Sequence, residues 1–158
     1  PIPNFIILAG FVSGGVVRGL LIGVVVTIVA LFFTNLQVHN LIITIAVVLM
    51  TSIVFSLAGM INAIFANKFD DISVIPAFVL TPLIYLGGVF YSIDLLPDFW
   101  QKVSAFNPIL YMVNAFRYGM LGESDIDITH AFIMLTIFTI TLLIISLQLL
   151  NRGVGIKS

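Results

Sequence analysis

The chain has 158 residues, of which 61% are hydrophobic and 8% charged, and its mean hydropathy is +1.25. Soluble domains carry about a quarter charged residues, and one core of this size cannot bury so much apolar surface. The composition therefore excludes a soluble domain and indicates an integral membrane protein. A net charge of −1 gives no reason to expect a nucleic-acid partner, and the lack of cysteine excludes disulfides and thiolate chemistry.

The first residues do not form a signal peptide, because no basic segment precedes them and the apolar stretch continues to Phe33. The chain also starts at Pro1 rather than at methionine. We therefore expect it to be a piece of a longer protein that is truncated at its N-terminus.

Four apolar stretches are long enough to cross about 30 Å of hydrocarbon, which takes about 20 residues. Lipid offers the backbone no hydrogen-bond partners, so each stretch is predicted to be a helix and the protein all-α. The predicted spans are 14–34, 41–66, 72–93 and 130–150, followed by a tail over 151–158.

Four spans place both ends of the chain on one side of the membrane. That side would hold Arg18, Lys68, Arg152 and Lys157, and the other would hold Lys102 and Arg117. The excess of basic residues on the first side predicts that both chain ends are cytoplasmic.

Small residues recur along the first predicted span. Gly15, Gly19 and Gly23 follow one another every four residues, so they share one helix face that another helix can approach closely. Two interpretations are open, generic packing within the bundle and a seam between two copies of the protein. Arg18 lies beside this face near the predicted cytoplasmic end, where its side chain is expected to reach the headgroups.

The second span carries Ser52, Ser56 and Gly59 on one face, which favours helix contact over a pore. The third contains Pro76, Pro82 and the pair Gly87–Gly88. Because proline removes a backbone donor, this span is predicted to be bent or interrupted. Such an interruption is found along transporter substrate paths and also as a plain kink.

The segment 97–121, between the third and fourth spans, reads as two short helices. Pro97 and Asp98 can open the first, which places Trp100 at the headgroup level. Asn107 and Pro108 provide an N-cap and a first residue for the second, which would end near Leu121.

The second short helix is too short to span a membrane. Tyr111, Asn114 and Tyr118 share one of its faces, with Arg117 beside them. The pair of helices either dips into the membrane and returns, or lies flat upon it. Backbone that enters without crossing must be buried in protein or line water.

The charged residues predict no enzyme. His39 and His130 stand at predicted membrane boundaries without metal-ligand spacing. Asp70–Asp71 suits a helix-capping turn better than a cation site. The acidic turn at Glu123, Asp125 and Asp127 lacks the spacing of a calcium loop. No cofactor site and no Walker motif are expected.

Several stretches together resemble the C-terminal signature of ABC-2-type transporter permeases, and within that family a YadH-like group of bacterial inner-membrane permeases. They are Leu-Gly-Gly-Val-Phe-Tyr-Ser at 86–92, Leu-Leu-Pro at 95–97, Asn-Pro at 107–108, Phe-Arg-Tyr-Gly at 116–119, Gly-Gly-Val-Val-Arg-Gly-Leu at 14–20 and Phe-Asp-Asp-Ile-Ser at 69–73. Their order is collinear and they cover essentially the whole chain.

The resemblance implies a subunit of six spans, of which this chain would be the last four. It implies a dimer of permeases with two cytoplasmic ATPase subunits that bind ATP and magnesium, and a first visible span near the dimer region. It also implies that 97–121 is a re-entrant pair of helices near an outer gate. The function expected is the membrane half of an ATP-driven exporter.

Two other classes stay open. A channel or secondary transporter that does not use ATP would usually carry an ionisable residue inside a span, and no Asp, Glu or Lys lies within the four predicted spans. A structural or assembly subunit is not excluded by physical reasoning. No residue pattern indicates which substrate is carried.

Overall fold

A computed structural model describes residues 3–35, 38–66, 68 and 71–153, and of Val74 only the backbone. Within these ranges all regular structure is helical. The elements are α1 (Asn4–Leu31), α2 (Leu41–Phe65), α3 (Asp71–Ile75), a π-helical turn (Pro76–Leu80), α4 (Thr81–Tyr85), a 3₁₀ turn (Ile93–Leu95), α5 (Asp98–Ser104), α6 (Pro108–Leu121) and α7 (Ile128–Asn151). Phe69, Asp70, Lys157 and the tail from 154 onward lie outside the described residues.

Three helices, α1, α2 and α7, are long and apolar enough to cross a membrane. With 28, 25 and 24 residues, they rise about 42, 37 and 36 Å, which exceeds the roughly 30 Å of hydrocarbon. Two of them start at side-chain caps. Asn40 accepts a hydrogen bond from the Ile43 amide at 3.1 Å, and Asp127 accepts one from the His130 amide at 3.0 Å.

The third predicted span, 72–93, is shorter in the structure than the apolar pattern suggested. The helical stretch Asp71–Tyr85 rises only about 22 Å, which is less than the hydrocarbon thickness. Pro76 starts a π-helical turn, which accommodates the missing donor and the bulk of the ring. Gly87 and Gly88 follow the helix instead of bending it, and Gly88 has a φ of +70° that ends the right-handed path.

The first helix also differs from the predicted span 14–34, because it begins ten residues earlier, at Asn4. The glycines at 10, 14 and 15 do not interrupt it, and Ser13 donates a hydrogen bond to the Gly10 carbonyl within the helix at 2.9 Å. Arg18 therefore lies near the middle of α1, not near its end.

Helix α2 is the central element, in contact with α1, α6 and α7. One cluster, formed by Leu8, Leu57 and Met60, joins α1 and α2 to the last turns of α7 at what we call the terminal end of the bundle. There Asn4 donates a hydrogen bond to Asn151 at 2.8 Å. A second cluster joins α2, α6 and α7 at the opposite end, which we call the α6 end.

Candidate functional site

Helix α6 is the most buried element of the fold. Asn107 caps it by accepting a hydrogen bond from the Ile109 amide at 3.0 Å, Pro108 occupies its first turn, and Gly122 ends it in the left-handed conformation. Its buried residues are Ile109, Leu110, Tyr111, Met112, Asn114, Ala115 and Gly119. Helix α6 therefore sits as a wedge between α2 and α7, although it is too short to cross a bilayer.

The start of α6 abuts the end of α4. The Asn107 side chain donates a hydrogen bond to the Leu83 carbonyl at 2.6 Å while it caps α6. A Cβ atom on Gly87 would lie 2.7 Å from Cγ2 of Ile109 and 3.0 Å from the Leu83 carbonyl oxygen. A side chain at position 87 would push these atoms apart, so glycine there lets the turn after α4 lie close to the start of α6.

Arg117 links three separate segments. Its Nη2 donates to the Gly88 carbonyl at 2.8 Å, and its Nη1 forms an ion pair with Oδ2 of Asp125 at 3.1 Å. The two side chains of the pair are 25% and 19% exposed, so the pair is only partly shielded from its surroundings. The guanidinium thus joins α6 to the turn after α4 and to the turn before α7.

Asn114 stabilises the contacts of Arg117 through hydrogen bonds to the segment that carries Asp125. Its side chain is fully buried, donates to the Leu110 carbonyl at 3.0 Å, and accepts from the Asp125 amide at 2.9 Å and from Oγ of Ser124 at 3.3 Å. It fixes the backbone that carries the carboxylate partner of Arg117. We call the set of Gly88, Asn114, Arg117, Ser124 and Asp125 the polar clamp.

Sequence reasoning did not single out Asn114 as a site residue. The available signal was its place on the face shared with Tyr111 and Tyr118, within an otherwise apolar helix. A buried amide side chain must be hydrogen-bonded, and such bonds fix neighbouring segments in one arrangement. The partners at 124 and 125 are brought close only by the fold.

The aromatic residues predicted for this region occupy three different places. Tyr111 donates to the Ala105 carbonyl at 2.6 Å and its ring lies 5.8 Å from that of His130. Burial raises the pKa of the Tyr111 phenol above its ordinary value. Tyr118 meets His39 edge-on at 5.5 Å. Trp100 is 45% exposed beside Phe99, so the structure does not bring it to the polar clamp.

The last turn of α6 lies directly on α2. The Asn40 amide donates to the Gly119 carbonyl at 2.8 Å, and the His39 amide donates to the Met120 carbonyl at 3.1 Å. A Cβ atom on Gly119 would be 2.5 Å from Oγ1 of Thr44 and 3.0 Å from its amide nitrogen. The helix therefore approaches the α2 backbone as closely as glycine allows.

Two of the three predicted interface glycines of α1 face α2. A Cβ atom on Gly15 would overlap Oγ of Ser56 and lie 2.9 Å from its Cβ, and one on Gly19 would overlap the side chain of Ser52. Gly23 has no atom within 4 Å of the equivalent position. Gly15 and Gly19 thus serve packing within the chain, and a role of this face between two copies stays a prediction.

We expect Gly15→Leu to destabilise the packing of α1 on α2, because the side chain must push the helices apart. The cost of such overpacking is about 1–3 kcal/mol of unfolding free energy. Gly23→Leu adds the same side chain to the same helix without a clash and serves as the matched control. Denaturant unfolding in detergent measures both, and equal losses would contradict the packing assigned to Gly15.

Within the described ranges, no group of three or more His, Cys, Asp or Glu side chains could hold a metal ion. The arrangement of the site is one of helices held by hydrogen bonds and close glycine contacts around α6. These features define a class, a multi-helix integral membrane protein with a short, buried helix beside its spans.

Residues 1–121 match the family described as ABC-2 type transporter. The chain belongs to that family. It is 49% identical over all of its 158 residues to the "Inner membrane transport permease YadH" of Escherichia coli (strain K12), of which it covers 62%.

More distant relatives carry the name "Nodulation protein J". The one from Rhizobium leguminosarum bv. viciae is 25% identical over 146 residues, which is 92% of this chain and 56% of that protein. The one from Neorhizobium galegae is 24% identical over the same shares. The chain spans less than two thirds of the length of these curated relatives. No solved structure matches the chain.

Proposed function

We propose that this chain forms part of the permease subunit of an ATP-driven exporter in a bacterial inner membrane. The observation that carries the proposal is membership of the ABC-2 transporter family over residues 1–121, together with the similarity to an inner membrane transport permease. The chain has no Walker motif. Hydrolysis of ATP with magnesium is therefore assigned to partner ATPase subunits on the cytoplasmic side, and this chain is assigned no enzymatic role.

In this proposal two permease copies enclose the path, and ATP-dependent closure of the ATPase subunits moves their helices. The terminal end of the bundle, with Asn4 and Asn151, faces the cytoplasm. Lys68 and Arg152 also follow helices that finish at this end, in agreement with the preference of basic residues for the cytoplasmic side.

The α6 end is assigned to the outer side, with α5 and α6 as a re-entrant pair near the gate. Support comes from the burial of α6 against α2 and α7, because backbone that enters a membrane without crossing it needs protein around it. The stretch Asp71–Tyr85 would be a fourth, interrupted membrane segment, completed toward the outer side by the residues after Gly88. The polar clamp would hold this segment, α6 and α7 together as the gate moves.

The proposal is tested by asking whether the permease changes the rate at which its ATPase hydrolyses ATP. Full-length permease and its co-purified ATPase are reconstituted in proteoliposomes, and ATP hydrolysis is compared with that of the ATPase alone. We expect the permease to raise the hydrolysis rate. Vesicles with the permease alone serve as the control and should show no solute flux without ATP.

A rate of ATP hydrolysis that does not change when the permease is added would contradict the proposal that the protein is part of an ATP-driven exporter. Flux through permease-only vesicles would favour a channel or secondary transporter instead. Cross-linking through single cysteines introduced within residues 1–158, which contain none, then tests whether two copies of the permease are in contact.

A further inference from the structure

Two buried asparagine side chains hold the stretch Asp71–Tyr85, which we call the interrupted segment, near its two ends. The Asn62 carboxamide donates a hydrogen bond to the Ile72 carbonyl at 2.9 Å. The Asn107 carboxamide donates one to the Leu83 carbonyl at 2.6 Å. Asn62 belongs to the last turn of α2, at the terminal end of the bundle, whereas Asn107 caps α6. The two carbonyls are about 16 Å apart along the helix, so the bonds lie at opposite ends of the segment.

The bond from Asn62 replaces a donor that proline removes. In an α-helix the carbonyl of residue 72 accepts from the amide of residue 76, and Pro76 has no amide hydrogen. The regular part of α3 accordingly ends at Ile75, and the π-helical turn begins at Pro76. Because lipid offers the backbone no substitute donor, the Asn62 side chain stabilises the helix at the point where its own hydrogen bonds are interrupted.

The bond from Asn107 lies at a second interruption. In a regular helix the Gly87 amide would donate to the Leu83 carbonyl, four residues back. Here it donates to the Ile84 carbonyl at 3.2 Å, because the chain leaves the helix at this point. Asn107 then supplies a donor to the Leu83 carbonyl from another element of the fold. Each end of the interrupted segment is thus held by an asparagine side chain where the regular pattern of backbone bonds stops.

Hydrogen bonds of this kind allow movement in a way that buried packing does not. In the described part of the chain, the interrupted segment contributes no residue to the two buried clusters that join α1, α2, α6 and α7. The π-helical turn Pro76–Leu80 lies between the two asparagine bonds, and helices bend at turns of this type. A hydrogen bond weakens steeply as its geometry is lost, so movement of one end breaks the bond there.

We propose that the interrupted segment is a moving element that pivots at its π-helical turn, and that the bond from Asn62 to the Ile72 carbonyl fixes one of its two positions. This role rests on the exporter function proposed above, in which the terminal end faces the ATPase subunits and α6 belongs to the gate. Because Asn107 holds the other end of the segment against α6, movement at the Asn62 end is transmitted to the gate. Asn62 is therefore a positioning residue.

The first test is hydrogen–deuterium exchange of the full-length permease in detergent, measured by mass spectrometry. Asn62→Leu keeps the approximate size of the side chain and removes its donor. We expect the amides within 71–80 to exchange about three- to tenfold faster, the factor for the net loss of one hydrogen bond. Asn4→Leu is the matched control, because it removes another asparagine hydrogen bond at the same end of the bundle and should leave exchange within 71–80 unchanged.

A second substitution tests whether Asn62 acts through the missing donor. Pro76→Ala restores an amide hydrogen at position 76, which gives the Ile72 carbonyl a donor from its own helix. In this background we expect Asn62→Leu to raise exchange within 71–80 by less than about twofold, since two residues that serve one carbonyl are not additive. Equal effects of Asn62→Leu in both backgrounds would contradict the role assigned to Asn62.

Movement of the segment is tested on the complex with the ATPase subunits. We expect the exchange rate within 71–80 to differ between the nucleotide-free complex and the complex trapped with ATP and vanadate, while exchange within 50–60 of α2 stays the same. The difference should shrink in Asn62→Leu, because the bond is then absent from both states. A merely structural role of Asn62 would give no difference between the nucleotide states.

Two results would overturn the proposal: exchange within 71–80 that Asn62→Leu does not change, and wild-type exchange that is the same in both nucleotide states. If Asn62→Leu does not insert into the membrane, Asn62→Ala replaces it in every arm. Failure of the exporter function would be recognised separately, as ATP hydrolysis that the permease does not raise in the same preparation. The relation between Asn62 and Pro76 is measured without nucleotide and does not depend on that result.

Discussion

Arg117→Leu should reduce transport by about tenfold or more and leave the amount of inserted protein unchanged. The substitution removes the bond to the Gly88 carbonyl and the ion pair with Asp125. A hydrogen bond from a charged donor contributes about 1.5–3 kcal/mol, whereas a partly exposed ion pair adds at most about 1 kcal/mol. Since 1.4 kcal/mol is tenfold in an equilibrium, the lost bonds suffice to shift by that factor a conformational equilibrium in which only one state makes them.

The measurement is ATP-dependent transport in proteoliposomes at matched permease content. Lys102→Leu is the control, because Lys102 is an exposed cation at the same end of the bundle and forms no hydrogen bond or ion pair within the described chain. Wild-type transport by Arg117→Leu, or an equal loss in Lys102→Leu, would show that the contacts of Arg117 are not what matters. Asp125→Asn should produce a smaller loss, since the bond to Gly88 remains.

Gly119→Val should release α6 from α2 and lower the free energy of unfolding by about 1–3 kcal/mol. The added Cβ would meet the amide nitrogen of Thr44 at 3.0 Å and its Cα at 3.1 Å, so a side-chain rotation cannot relieve the contact. Helix α6 must then move as a body, which also separates the Gly119 carbonyl from the Asn40 amide.

Gly59→Val controls for the cost of a β-branched residue in a helix, because its Cβ position is open. Denaturant unfolding in detergent compares the two variants. If both lose the same stability, the close approach of α6 to α2 is not what requires glycine at 119.

Around α6, the ends of the helices could be predicted from capping and turn residues, which act over only a few positions. Asn107 and Pro108 already indicated a break between two short helices, and the structure ends α5 at Ser104 and begins α6 at Pro108. The second helix was expected to end near Leu121, and it does end there, followed by Gly122 with a φ of +81°. These signals are reliable because capping depends on hydrogen bonds within a few residues.

Hydropathy predicted the length of a helix less well where the backbone conformation of single residues decides where the helix ends. The apolar run 72–93 has the length of a span, yet Gly88 turns out of the helix and Gly87 is held against Ile109. A mean over residue types cannot register a positive φ or a contact with a residue more than twenty positions away. The same limitation placed Arg18 at a helix end, although the helix continues back to Asn4.

The sequence by itself determined that this is an all-helical membrane protein of the ABC-2 transporter type, and it located the spans that became α1, α2 and α7. Composition and the period of apolar residues carry that information along the chain. Only the tertiary structure decided that Gly88, Asn114, Arg117 and Asp125 meet, that Gly15 and Gly19 are used against α2, and that Asn62 reaches the Ile72 carbonyl. Partners distant in sequence are chosen by how the helices pack, and that choice depends on the shapes of all the surfaces together.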